Sequence, residues 1–378
     1  MILSGFLAFF AVDDMESQNS IRVMNIEKRL QAFVKLGEIL EDYLSQQSDP
    51  SPVAGKYREM LRNAVSQSAL HNPWFIQPFV FKALETIRMN LRPNHLEKWV
   101  RTYPSLYQND VQPCTVGVVH AGNIPAVGFH DFLSVLVSGH IYYGKLSSKD
   151  SDLLRTLAEI LQDIEPGFRE RILFENRFLK QFDAVIATGS NNTARYFAYY
   201  FGKYPHIIRK NWNGVAVLTG SETDDELSKL ADDLFLYFGL GCRNVSKLYL
   251  PVDFEPERLF RNMDHYQNFL DHSKYNNNYD YHKAMFIMNQ VPHLDNGFLL
   301  LREDKQISSP IATLHYERYH DLREVNDHLE INRSNIQCIV THSEYFPEGI
   351  DFGHTQYPAL WDYADHVDTL QFLLSLNH

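Results

Sequence analysis

Residues 114–148 read "CTVGVVHAGNIPAVGFHDFLSVLVSGHIYYGKLSS", and this stretch predicts the fold. A short apolar strand, 114–120, runs into a turn of Gly, Asn and Pro. A helix follows over 126–139 and stops at Gly139, and a second strand covers 140–148. Strand, helix and strand in so short a stretch predict two parallel strands joined by a crossover helix.

The same alternation continues along most of the chain, without an internal repeat or a low-complexity linker. The first hundred or so residues differ, because their apolar positions have helical spacing throughout. We therefore expect an α/β fold with a helical N-terminal segment and two α/β blocks, 1–210 and 211–345. The predicted helices are 24–46, 52–98 with a break at 71–75, 151–164, 191–202, 224–239 and 254–273; the remaining strands are 182–190, 214–220, 246–251, 297–304, 311–319 and 335–342; and 275–282 is predicted as a polar loop.

Composition excludes several classes of protein. The 378 residues carry a net charge of −12, which argues against a nucleic-acid partner, although a small anionic cofactor needs only a local site. The three cysteines, Cys114, Cys242 and Cys338, are too few and too scattered for a disulfide framework. No C-x-x-C or H-E-x-x-H spacing predicts a metal site.

The chain begins with a short apolar segment, residues 1–12, that is followed by acidic residues. It is shorter than the roughly 20 residues that span a bilayer, and no Lys or Arg precedes it as in a signal peptide. Two interpretations remain, an extension that docks on the core or an upstream start codon with Met15 as the true start. We expect a cytoplasmic protein without a membrane span.

Cys242 lies in "LFLYFGLGCRNVSKLYLP", residues 234–251, between a predicted helix and a predicted strand. Gly239 and Gly241 allow the backbone to turn sharply and approach a ligand. A free cysteine is often simply a small buried hydrophobic residue. It is also a nucleophile where a turn exposes it, so both interpretations stay open at this point.

Three other turns carry candidate polar residues. Asn123 lies in a Gly-Asn-x-Pro turn after a strand, where its amide either closes the turn or donates to an oxyanion. Lys145 ends the next strand, where a lysine is either a solvated charge or a ligand of a cofactor. Gly189 and Ser190 open a helix, and helix N-termini bind phosphate groups.

Taken in order, these motifs resemble the aldehyde dehydrogenase superfamily. The sequences "HAGNIP", "SGH" and "KLSS" are closest to those of the LuxC-like acyl-CoA reductases, the reductase component of fatty-acid reductase. The tail "QYPALWDYADHVDTLQFL", 356–373, is similar too, so the resemblance runs from about residue 110 to the C-terminus. It implies an aldehyde dehydrogenase-like fold. Its parts would be a Rossmann-type cofactor domain within 1–210, an α/β catalytic domain over 211–345 and a tail, 346–378, that returns to the cofactor domain.

The resemblance also implies roles for individual residues. Cys242 would be the nucleophile, and Asn123 would form an oxyanion hole with the backbone N–H of Cys242. The cofactor ribose would be held by Lys145, with Ser147 and Ser148 beside it. Gly189 and Ser190 would lie near the cofactor pyrophosphate.

Two departures from the superfamily sharpen the prediction. The Glu-Leu-Gly-Gly motif that carries the base of hydrolytic members is replaced by "RKNWNGVAVL", 209–218, and no Asp or Glu occurs from 184 to 221. A missing base favours reduction of an acyl thioester over oxidation to a free acid. Ser148 and Lys149 stand where NAD-preferring members carry an acid, which favours NADPH, with NADH as the alternative.

The predicted reaction is the reduction of an acyl thioester to an aldehyde through an acyl-enzyme at Cys242. Arg243 and Lys247 are candidates to stabilise the thiolate of Cys242. The thioester would be a long-chain acyl-CoA or an acyl-protein, and by analogy an acyl-protein synthetase or acyltransferase is the expected partner. The alternatives are a non-redox cysteine acyltransferase or thioesterase, and a non-catalytic subunit of an acyl-activating complex. A homo-oligomer is also expected from the resemblance.

Overall fold

Four helices precede the first strand among the residues that the structure describes. The computed structural model describes residues 24–45, 52–107, 112–342 and 344–377, so the apolar N-terminal segment lies outside the described residues. Helix α1 (Ile26–Leu44) begins at Asn25, whose side chain accepts the backbone N–H of Lys28 at 3.0 Å. The other three are α2 (Pro52–His71), α3 (Gln77–Asn90) and α4 (Pro93–Val100). These helices confirm the helices predicted over 24–46 and 52–98 and the break at 71–75.

The first sheet has five parallel strands in the order β3-β2-β1-β4-β5. Its order reverses between β1 and β4, and in open α/β sheets such a point forms a crevice at the carboxyl ends of the strands. The predicted Asn123 turn follows β1 and the Gly189 turn follows β4. The strands are β1 (Thr115–Val119), β2 (Ile141–Lys145), β3 (Ile172–Phe174), β4 (Ala184–Thr188) and β5 (His206–Arg209), and the helices are α5 (Phe129–Ser138), α6 (Asp152–Ile164) and α7 (Asn191–Phe201).

The second sheet has six strands in the order β11-β6-β7-β10-β9-β8, and β8 alone is antiparallel to its neighbour in that sheet. Only residues 210–212 separate it from the last strand of the first sheet. Its strands are β6 (Asn213–Val217), β7 (Val245–Pro251), β8 (Leu294–Asp295), β9 (Leu300–Glu303), β10 (Thr313–Tyr319) and β11 (Ile336–Val340), and its helices are α8 (Asp224–Phe235), α9 (Glu257–Arg261), α10 (Ser273–Met288) and α11 (Leu322–Ile331).

The C-terminal segment packs against the helices of the first sheet. Helix α12 (Thr369–Leu374) contacts α5, and its Leu370 and Leu373 are fully buried. Tyr363 accepts a hydrogen bond from Trp99 Nε1 at 2.7 Å. The division of the chain at residues 210 and 345 stays a prediction.

Three predicted elements were wrong in whole or in part. The predicted loop 275–282 is helical, because Tyr275, Tyr279 and Phe286 of α10 are buried, whereas the asparagines 276–278 are half-buried or exposed. The predicted helix 254–273 is only the short α9 followed by a 3₁₀ segment, Asp264–Asp271, whose buried Tyr266 and Phe269 are three residues apart. Helix α8 stops at Phe235, four residues before its predicted end.

Candidate active site

A strained turn carries the cysteine from α8 to β7. Tyr237 and Phe238 both have φ 56°, in the left-handed region that residues other than glycine rarely adopt. Both side chains are buried in the core of the second sheet, which holds the backbone in this conformation. Helix α8 cannot continue through these residues, so Cys242 lies on a turn, as predicted.

Asn244, two residues after the cysteine, fixes this turn and was missed by the sequence analysis. Its buried amide donates to the carbonyl oxygens of Asp233 at 3.0 Å and Leu236 at 2.9 Å. Its Oδ1 accepts the N–H of Gly241 at 2.8 Å. One side chain therefore ties the end of α8 to the residue before Cys242.

The C-terminal segment supports the same turn from the other side. The buried carboxylate of Asp233 accepts the backbone N–H groups of Gly353 at 2.7 Å and Thr355 at 2.9 Å. Arg243 Nε donates to the carbonyl oxygen of Thr355 at 2.7 Å. These contacts join residues more than a hundred positions apart, and no local pattern in the sequence signals them.

The Cys242 thiol is half-buried, and its surroundings act on its pKa in both directions. Burial raises the pKa of the Cys242 thiol, and the negative charge of Asp365 raises it further. The positive charges of Arg243 and Arg209 oppose this rise. The other predicted cation, Lys247, is fully buried and paired with Glu317 at 2.6 Å, so the structure gives it a different partner.

Asn123 contacts the cysteine turn directly. Its amide Nδ2 donates to the carbonyl oxygen of Leu240 at 2.8 Å. The turn that holds Asn123 is itself anchored, because Asn72 donates to the carbonyl oxygen of Gly122. An asparagine amide has two N–H donors, and this contact uses one of them.

A cavity of about 560 Å³ lies between the two sheets. Four of the predicted site residues, Asn123, Gly189, Ser190 and Cys242, line it together. The lining also includes apolar side chains from the core of the second sheet, among them Phe235, Phe238, Leu299 and Leu314. Polar groups of the first sheet and apolar groups of the second therefore share one space with the thiol.

The other three predicted residues lie beside this cavity, outside its lining. Lys145 ends β2 in register with Val119 of β1. Its ammonium lies 5.4 Å from the ring centre of Phe178 and has no ion pair with any residue that the structure describes. Ser147 packs against Gly122, where an added Cβ would collide with the serine hydroxyl. Ser148 and Lys149 follow on the same exposed loop.

The crevice of the first sheet fits a nucleotide. The uncommitted ammonium of Lys145 and the exposed Lys149 supply positive charge for phosphate groups. Gly189 is followed by Ser190, the N-cap of α7, whose side chain accepts the N–H of Thr193 at 3.3 Å. Since helix N-termini bind phosphates, this donor set suits a dinucleotide pyrophosphate.

Four charged residues of the cavity lining were not predicted, Asp131, Arg209, Lys210 and Asp365. Arg209 is buried and pairs with Asp131 at 2.5 Å, and it also donates to Thr369 Oγ1 at 2.7 Å. Asp365 comes from the C-terminal segment. Within the described ranges, no cluster of His, Cys, Asp and Glu is arranged to hold a metal ion, and no helix is long and apolar enough to cross a membrane.

Comparison with known proteins shows the fold. No protein-family model and no curated protein sequence matches the chain. Among solved structures, aldehyde dehydrogenase 21 from Physcomitrella patens, in complex with the reaction product succinate, matches with TM-score 0.59 at 13% identity over 93% of this chain and 88% of its own. An aldehyde dehydrogenase from Bacillus cereus in complex with NAD+ matches with TM-score 0.58 at 12% identity over 86% and 73%.

The Delta-pyrroline-5-carboxylate dehydrogenase from Mycobacterium tuberculosis bound with NAD matches with TM-score 0.56 at 14% identity over 93% of this chain and 72% of its own. The protein therefore has the aldehyde dehydrogenase fold, which confirms the predicted fold class.

Proposed function

We propose that the protein is an NADPH-dependent acyl-thioester reductase that forms an acyl-enzyme at Cys242. The observation that carries the proposal is the shared cavity. A cysteine on a strained turn, an asparagine amide beside it and the Gly189–Ser190 turn of the nucleotide crevice line the same space. Nucleophile, oxyanion donor and cofactor site are the parts that this reaction needs.

The first half of the reaction uses residues of the chain alone. The Cys242 thiolate attacks the carbonyl carbon of the thioester, and the carbon–sulfur bond to the carrier thiol breaks. The second amide N–H of Asn123 and the backbone N–H of Cys242 hold the carbonyl oxygen while it carries negative charge. The apolar side chains of the cavity, which include Phe235 and Leu299, accommodate a long acyl chain.

The cofactor would be held by Lys145, Ser147 and Ser148 at the ribose and by Gly189 and Ser190 at the pyrophosphate. Bound NADPH supplies the hydride that reduces the acyl carbon to the aldehyde. Ser148 with Lys149 accommodates a 2′-phosphate because neither side chain repels it. NADH is the alternative cofactor, and an acyl-protein in place of acyl-CoA is the alternative donor.

The test is absorbance of the reduced nicotinamide on mixing the protein, NADPH and a long-chain acyl-CoA. We expect NADPH to be consumed and aldehyde to form, with neither in Cys242→Ala. Cys114→Ala is the matched control, because this half-buried cysteine lies near Leu376 and does not line the cavity. Absence of NADPH and NADH consumption across chain lengths and thioester donors would contradict the proposal.

A second candidate is a cysteine thioesterase or acyltransferase without a redox step. It is favoured by one observation, the carboxylate of Asp365 in the cavity, which is a candidate base for activating water. In the same experiment a thioesterase or acyltransferase would release free CoA without consuming NADPH.

A further inference from the structure

The C-terminal segment delivers a carboxylate to the cysteine cavity. Asp365 lies in the 3₁₀ turn Ala364–His366, and its neighbours in the cavity lining include Cys242, Arg209 and Lys210. Asp365 is 123 positions from the cysteine in the sequence (365 − 242). A carboxylate therefore lines the cavity although residues 184–221 contain no Asp or Glu.

The backbone at Asp365 is strained and firmly held. Asp365 and His366 have φ 56° and 55°, in the left-handed region. The N–H of Asp365 donates to Gln337 Oε1 at 2.8 Å, and Gln337 Nε2 donates to the carbonyl oxygen of Tyr363 at 3.3 Å. Gln337 is buried on β11, so both sides of the turn are attached to the second sheet. Strain that the surroundings maintain in this way is common at functional sites.

The carboxylate is held on the cavity side of this turn. Asp365 Oδ2 accepts the backbone N–H of Lys210 at 3.4 Å, in the segment that links the two sheets. The His366 ring lies 5.5 Å from the ring of Trp212, in the same linking segment. Asp365 is therefore positioned by the second sheet and by the segment that links the two sheets.

The charges around Asp365 leave it able to exchange a proton. Burial raises the pKa of Asp365 to about 6, and the nearby Asp131 acts in the same direction. Arg209 and His366 act in the opposite direction, but the hydrogen bonds of Arg209 go to Asp131 and Thr369. The Cys242 thiol has a pKa raised by burial, so it needs a base close by to lose its proton at neutral pH.

We propose that Asp365 carries the proton of Cys242 to the leaving thiol during acyl transfer, an inference that rests on the proposed function. The Asp365 carboxylate accepts the S–H proton as the sulfur attacks the thioester carbon. When the carbon–sulfur bond to the carrier breaks, Asp365 returns this proton to the carrier sulfur. One S–C bond forms and one breaks, the proton moves from one thiol to the other, and no oxidant or reductant takes part.

The role of Asp365 predicts the pH dependence of thiol release. In a single turnover with long-chain acyl-CoA and no NADPH, the rate of CoA release rises with pH through about 6, where Asp365 ionises, and is then constant to about pH 8. A thiolate formed by solvent alone would instead give a rate that rises about tenfold per pH unit up to the thiol pKa. A profile of the second kind overturns the proposal without any variant.

The variant Asp365→Asn separates a chemical role from a structural one. Asparagine tolerates the left-handed backbone, so the turn is retained. Loss of the negative charge lowers the thiol pKa, so alkylation of Cys242 by iodoacetamide becomes faster at pH 7. CoA release falls by about 100-fold, because the proton has no carrier. Asp365→Glu recovers part of the rate of CoA release. Asp362→Asn, in the same segment, is the matched control, and its rates of CoA release and of alkylation should equal those of the wild type.

The outcomes distinguish this inference from the proposed function. Faster alkylation together with slower CoA release supports the role of Asp365. CoA release that is unchanged or faster in Asp365→Asn overturns it, while the acyl-enzyme of the proposed function stands. If the wild type releases no thiol from acyl-CoA or from an acyl-protein, the proposed function fails and the role of Asp365 in thiol transfer fails with it.

Discussion

The amide of Asn123 donates a hydrogen bond to the carbonyl oxygen of Leu240, two residues before Cys242, at 2.8 Å. This bond joins the turn after the first strand of one sheet to the turn before the second strand of the other. It positions Asn123 against the cysteine turn while one amide N–H is still available. In the proposed function Asn123 would have two roles, to align the turn and to donate to the oxygen of the substrate.

Asn123→Ala should lower the rate of acyl-enzyme formation by about 10²- to 10³-fold, as for loss of one oxyanion donor. Alkylation of Cys242 by iodoacetamide builds no oxyanion, so its rate should stay within about threefold of the wild type. The measurement is single-turnover release of CoA beside the alkylation rate. Equal loss of both rates would mean that Asn123 only aligns the cysteine turn.

Ser148→Glu should shift the cofactor preference away from NADPH. A carboxylate at this position would repel the 2′-phosphate of NADPH. The hydrogen bond from the Ser148 hydroxyl to this phosphate would also be lost, so the KM for NADPH should be about 10- to 100-fold higher. The KM for NADH should be unchanged or lower. Steady-state kinetics with both cofactors provide the measurement, with Lys35→Gln on the exposed face of α1 as control. A parallel rise of both KM values would contradict a 2′-phosphate site beside Ser148.

Breaking the buried pair of Asp131 and Arg209 should destabilise the fold strongly. Both side chains are less than a tenth exposed, and their charged groups are 2.5 Å apart. Asp131→Asn leaves the charge of Arg209 without its partner, which should lower the free energy of unfolding by about 3–5 kcal/mol. Urea denaturation measures this change.

The exposed pair of Lys35 and Glu38 is the control for this experiment. Both of its side chains are 59% exposed, so Glu38→Gln should cost less than about 1 kcal/mol. Similar losses in Asp131→Asn and Glu38→Gln would show that burial does not strengthen the first pair.

His120 should make the fold sensitive to acid. Burial lowers the pKa of His120 to about 4, and its Nε2 shares a hydrogen bond with the Tyr142 hydroxyl at 2.6 Å. The unfolded chain binds this proton near pH 6.5, while the folded chain binds it only near 4. The stability present above pH 6.5 is therefore lost as the pH falls from 6.5 to 4, by about 3 kcal/mol in full.

The measurement for His120 is the free energy of unfolding in urea at pH 7 and pH 4.5, for the wild type and for His120→Gln. Glutamine keeps a hydrogen bond to Tyr142 within reach but does not titrate. The advantage of the wild type over the variant should shrink by about 2 kcal/mol or more at the lower pH. A difference that is the same at both pH values would rule out His120 as the titrating group.

The elements around the site were predictable because their signals are local. Gly139 ends α5 with φ 91°, and the strands before Asn123 and Gly189 are short apolar runs that end in turns. The helix over 275–282 was missed because its asparagine-rich composition suggested a loop, although its buried Tyr275 and Tyr279 have the spacing of a helix. In that segment tertiary packing decides the structure, and residue type misleads.

Of the residues that line the cavity, the sequence singled out Asn123, Cys242 and the glycine turns beside them, and their roles stay predictions. Asn244 was missed because its three partners lie in a turn whose shape depends on the burial of Tyr237 and Phe238. Asp365 was missed because it reaches the cavity through contacts with β11 and with the link between the sheets. Contacts between segments so distant in the chain leave no spacing in the sequence that a motif could capture.

The acyl-enzyme is the central claim, and mass spectrometry of the digested protein tests it most directly. The protein is mixed with long-chain acyl-CoA without NADPH, digested and analysed for the modified peptide. The account predicts a mass gain of one acyl group on Cys242, none in Cys242→Ala, and loss of the adduct with release of aldehyde when NADPH is added. An adduct on Cys114 or Cys338 instead, or an unmodified protein that still produces aldehyde, would contradict it.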